Sequence, residues 1–79
     1  MQSFLHRANP ENARLCELLD AAADRKGHDE RQQADALCVT LGFMRQVRQG
    51  MRKRSALSDA FIRGCAQYAG VSYEVARSA

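Results

Sequence analysis

Apolar residues recur every three to four positions along most of the chain, and alternation with a period of two never persists. That rhythm predicts helices and no strands. Leu15, Leu18, Leu19 and Ala22 share one side of a first helix expected over residues 10 to about 26, while Glu17, Asp20 and Asp24 face away. Asn9-Pro10-Glu11 supplies its start: Asn as N-cap, Pro where a missing N–H costs nothing, and Glu where the helix dipole favours an acid. Arg25 and Lys26 suit its end, and Gly27 stops it. Residues 1–8 are expected either to be loose or to fold back on the core through Phe4 and Leu5.

Asp29-x-x-Gln32 reads as a capping box opening a second helix that runs to Leu41, with Ala34, Leu37, Cys38 and Leu41 as its buried stripe. Gly42 then stands where a left-handed residue would end that helix, which implies a two-helix corner at Leu41-Gly42-Phe43. From Phe43 onward, steps of about 100° place Phe43, Met44, Val47 and Met51 on one side and Arg45, Arg48, Gln49 and Arg52 on the other. Gly50 either ends this third helix, leaving Arg52-Lys53-Arg54 in a loop, or is absorbed by it at a cost of about 1 kcal/mol. Ser58 caps a fourth helix over residues 59–69 with Phe61, Ile62, Cys65, Ala66 and Ala69 inward, and a short fifth spans 73 to about 77. The expected fold is all-α, a compact bundle of four to five short helices in a single domain over residues 1–79.

With 79 residues, of which five are aromatic and none is tryptophan, the core must come from Leu, Val, Met, Phe and Cys. A chain this short buries roughly 60% of its unfolded surface, so it has little room for an enzyme-sized cleft behind a full core. No P-loop, dinucleotide fingerprint or zinc spacing occurs, and His6 and His28 have no nucleophile at a defined spacing, so no enzyme activity, cofactor or metal is expected. His28 reads as an exposed turn residue. Cys16, Cys38 and Cys65 are widely separated and fall on apolar faces, as reduced core residues would. The N-terminus lacks a signal-like apolar run, and nothing approaches the roughly 20 apolar residues of a membrane span; a cytoplasmic protein without a membrane partner is expected.

The net charge of +3 is unevenly distributed. Residues 1–35 carry −2 and residues 59–79 carry zero, while residues 36–58 carry five cations and no acid. A face built only for solubility mixes its signs, so this segment points to an anionic partner.

Cys38, Gly42, Phe43 and Val47 fit the turn of a helix-turn-helix: a small packing residue, a glycine four positions later, an apolar residue, then an aliphatic anchor. With the later GMRKRSALSDAFIRGCAQYAGVS, the chain resembles DNA-binding domains of the Cro/CI (XRE-like) type over roughly residues 12–75, with the helix-turn-helix at 30–54. The interval from Gly42 to Gly50 is shorter than usual in that family. The same spacing recurs at Ala66, Gly70, Val71 and Val75, without a dense cationic face. The resemblance implies a small transcriptional regulator, repressor-like, binding double-stranded DNA as a homodimer with its third helix in the major groove. Arg45, Gln46, Arg48 and Gln49 would then touch base edges, and Arg52, Lys53 and Arg54 would touch phosphates. Two alternatives use the same basic face: a helical adaptor, antirepressor or inhibitor binding an acidic or helical protein, and an RNA binder, which the lack of an aromatic platform beside the cations disfavours.

Overall fold

A computed structural model describes residues 12–79, and every element in this range is helical. The chain runs through α1 (Ala13–Lys26), α2 (Glu30–Ala36), α3 (Leu41–Arg48), a 3-10 turn (Arg54–Ala56), α4 (Asp59–Ala69) and α5 (Tyr73–Ser78). The expected start at Asn9-Pro10-Glu11, together with Phe4, Leu5 and His6, lies outside the described residues.

Local capping explains most boundaries. Asp29 accepts from the Gln32 backbone N–H while the Gln32 side chain accepts from the Asp29 N–H, both at 2.8 Å, which closes the capping box. Ser58 and Ser72 cap α4 and α5 by accepting from Phe61 and Val75. Such caps each stabilise a helix by about 1 kcal/mol.

The corner between α2 and α3 departs from the sequence-based expectation. α2 stops at Ala36 rather than Leu41, and the left-handed residue is Cys38, with φ of 61°, not Gly42. Two bonds close this end: Cys38 N–H to the Asp35 carbonyl and Val39 N–H to the Ala34 carbonyl, at 3.0 and 3.1 Å. This is the Schellman arrangement, which also ends α1 at Gly27, α3 at Gly50 and α4 at Gly70. Thr40 then caps α3, its hydroxyl accepting from Phe43 N–H at 3.0 Å, so Gly42 falls inside the first helical turn. A threonine cap three residues before Phe43, backed by the Schellman closure, outweighs the stop signal that a lone glycine carries.

Four further expectations change with that corner. Cys38 is exposed rather than buried, and Leu41 is only half-buried. Met51 leaves the apolar face altogether, at 69% exposure, because α3 ends at Arg48 and Gly50 turns the chain into a loop. That loop carries Arg52 and Lys53, so Arg52 does not extend the polar face of α3.

α3 packs on α2 and α1, and α4 packs on α1 and α5. Leu15, Leu19, Met44, Val47 and Cys65 are fully excluded from solvent at their centre, where each large aliphatic side chain contributes about 1.5–3 kcal/mol. Phe43 meets Phe61 edge-to-face at 5.3 Å, tying α3 to α4. Burial pushes the Cys65 thiol up to about 12, in keeping with an inert core residue. His28 is half-buried, not freely exposed, with Nδ1 2.9 Å from the Tyr68 hydroxyl.

Candidate nucleic-acid interface

The Schellman turn at Cys38 and the Thr40 cap fix where α3 begins and therefore which residues it turns outward. Met44 and Val47 point into the core. Gly42, Arg45 and Gln49 form the outward ridge, all exposed. Arg48 lies on the flank facing α1 and α2, and Gln46 with Phe43 lies on the opposite flank facing the loop at 50–54.

The seven residues expected to bind DNA separate into distinct environments. Arg45 is exposed and bridges to Glu30, Nη2 to Oε1 at 3.1 Å and Nε to Oε2 at 3.4 Å. This hydrogen bond is the main reason the Glu30 carboxyl is held below its ordinary range. Arg48 donates to Asp20 at 2.7 Å and to Gln33 at 2.8 Å, and Gln33 in turn donates to Asp20 at 3.2 Å. The triangle fastens α3 to α1 and α2. Since Gln33 is 1% exposed, its amide depends on those two partners. Arg48 thereby acts as a clamp between α3 and its two neighbours.

On the other flank Arg52 is half-buried. Its guanidinium lies 4.6 Å from the centre of the Phe43 ring, and its Nε donates to Gln46 Oε1 at 2.8 Å. Stacking and one bond fix its plane, which leaves the two terminal amino groups for an anion. Lys53 is exposed beside it. Arg54 turns toward the protein, donating to Asn12 Oδ1 and to the carbonyls of Arg77 and Ala79 at 2.8–3.1 Å. Asn12, 1% exposed, also donates to the Arg52 carbonyl at 2.6 Å, so it anchors the loop to the start of α1. Neither Asn12 nor Gln33 carries a periodic or motif signal that would mark it in the sequence.

These pairings redistribute the positive charge. Arg45 and Arg48 each face a carboxylate, so the excess along this edge sits on Arg52 and Lys53, in the loop rather than on the helix. Tyr68 and Tyr73 lie apart from this edge, under Lys26 and Arg63 respectively.

Gly42 needs no special backbone, and a Cβ added there would meet only the Thr40 hydroxyl, at 3.9 Å. Glycine inside a helix costs about 1 kcal/mol relative to alanine. Gly42→Ala is therefore expected to raise stability by about 0.5–1 kcal/mol, read as a higher urea midpoint at unchanged slope. A lower midpoint would mean that α3 does not begin where Thr40 places it. In the fold this glycine has no packing role; on the outward ridge it leaves space for whatever approaches α3.

Among the described residues no helix is long and apolar enough to cross a membrane, and no cluster of His, Cys, Asp and Glu could hold a metal. Compared with protein-family models, curated proteins and solved structures, the chain matches none.

Proposed function

We propose that the protein binds double-stranded DNA as a small helix-turn-helix regulator, with α3 in the major groove and the 50–54 loop on the flanking phosphates. The observation that carries this reading is the register of the α2–α3 turn. The roles of the Cro/CI pattern are filled three to four residues earlier than the sequence alone suggested: Ala34 is the small buried residue, Cys38 the left-handed one, Val39 the apolar follower and, six positions past Cys38, Met44 the buried anchor. Counted from Cys38 to Gly50, the interval between the two left-handed residues is four longer than from Gly42. The outward ridge then offers Arg45 and Gln49 to base edges, suited to guanine and adenine respectively, while Arg52 and Lys53 suit phosphates. A unit this small presents few contacts, so two copies on a two-fold site are part of the proposal.

Electrophoretic retardation with a random-sequence duplex tests it. At about 50 mM salt a retarded band is expected, and its affinity should fall steeply as salt rises, because phosphate neutralisation releases counterions. Lys53→Ala should weaken all duplexes alike and flatten the salt slope by about 0.9. Arg45→Ala should cost about 1–3 kcal/mol on a selected sequence and little on random duplex. Absence of retardation at low salt would abandon DNA in favour of the protein-interaction reading, for which the neutralised flank of α3 and the exposed Met51 are the supporting features.

A further inference from the structure

We propose that Glu30 is a positioning residue that aims Arg45 at a guanine edge and suppresses its use on phosphates. The inference rests on the DNA reading above and assigns to Glu30, a residue of α2, control over what a residue of α3 recognises.

Three observations converge on it. Glu30 grips Arg45 along one side of the guanidinium, through Nε and Nη2. The terminal edge, Nη1 with the second hydrogen of Nη2, stays unused among the described contacts; two parallel donors there match O6 and N7 of guanine. The pair is also exposed, 56% for the Arg45 side chain and 40% for Glu30, so its role in folding is small. Finally, Glu30 is the first residue of α2, directly after the N-cap Asp29 and inside the Asp29–Gln32 capping box, which fixes the backbone from which its carboxylate reaches Arg45.

Charge supplies the selectivity. An arginine alone on a helix face is attracted to any phosphate along the duplex. With a carboxylate against it, an approaching phosphate meets repulsion as well as attraction, whereas the guanine edge is neutral and presents only acceptors. Glu30 therefore lowers general affinity and raises the contrast between a correct and an incorrect base. Gln46 is held away from this pair, its carbonyl accepting from Arg52 on the other flank.

The test compares wild type, Glu30→Gln, Arg45→Ala and the double variant. Each is taken through selection from a duplex pool with a randomised centre, then through titration on the enriched duplex and on random duplex. Glu30→Gln is expected to bind random duplex about fivefold more tightly, with a salt slope steeper by about 0.9, and to lose about tenfold of its preference for the enriched duplex. In the Arg45→Ala background the same change should have no further effect on preference, because Glu30 acts through Arg45. Thermal unfolding of Glu30→Gln should stay near wild type, separating aim from folding. Preference retained in Glu30→Gln, or lost equally with Arg45 already removed, overturns the assignment while leaving DNA binding intact. A wild-type protein that retards no duplex at low salt overturns the DNA reading itself, and this inference with it.

Discussion

Met44→Ala is expected to remove about 2–5 kcal/mol of folding stability, a large part of what a domain of this size has. Met44 is completely buried and belongs to the single cluster that joins α1, α3 and α4 through Leu15, Leu19, Val47 and Cys65. Truncation forfeits the transfer of its side chain from water and leaves a cavity at the centre of a small core, where few neighbours can collapse inward. At about 4–8 °C per kcal/mol, the melting temperature should fall by at least about 8 °C, measurable by circular dichroism. A drop of only a degree or two would mean that α3 does not turn this residue inward, and the outward ridge would then be assigned wrongly as well.

The second large effect concerns Arg48. Arg48→Met keeps the apolar stem but deletes the guanidinium, and the Gln33 carbonyl oxygen is left buried with no donor among its described partners. An orphaned buried acceptor costs about 1–3 kcal/mol. The Asp20 bond adds little to that figure, since the Arg48 side chain is 31% and that of Asp20 51% exposed and solvent screens their attraction. Urea titration should therefore show a clear loss of stability. Binding measured well below the melting temperature should retain the wild-type base preference, in contrast to Arg45→Ala. If Arg48→Met instead melts like wild type and loses base preference, Arg48 is a reader and not a clamp, and the sequence-based expectation for this residue stands.

The residues themselves explain where sequence reading succeeded. Ser58, the apolar stripe through Phe61, Ile62 and Cys65, and Gly70 all signal α4 in agreement, and its bounds follow from them. The Asp29–Gln32 capping box is equally explicit. At the α2–α3 corner the signals conflict, because Gly42 looks like the turn while the residue that takes the left-handed backbone is a cysteine. One clue was present: Cys38-Val39-Thr40 parallels Gly70-Val71-Ser72, and both triplets combine a left-handed residue, a valine and a hydroxyl cap. Aligning the two would have moved the turn to Cys38. The charge of the candidate site was less accessible. The basic run is visible in the sequence, but the partners of its arginines lie 28 positions away at Asp20 and 15 away at Glu30, on other helices. No local pattern can reveal that the third helix is partly neutralised and that the excess has moved to the loop.

The left-handed cysteine gives the molecule an unusual chemical asymmetry. Of the three thiols, Cys16 and Cys65 are sealed in the core with their ionisation suppressed by burial, and Cys38 alone is open to solvent. A maleimide dye would thus find one address on the native chain and three on the unfolded one. That address lies at the hinge between α2 and α3, off the ridge of Gly42, Arg45 and Gln49. The native protein carries its own single labelling point beside the surface whose occupancy one would wish to watch.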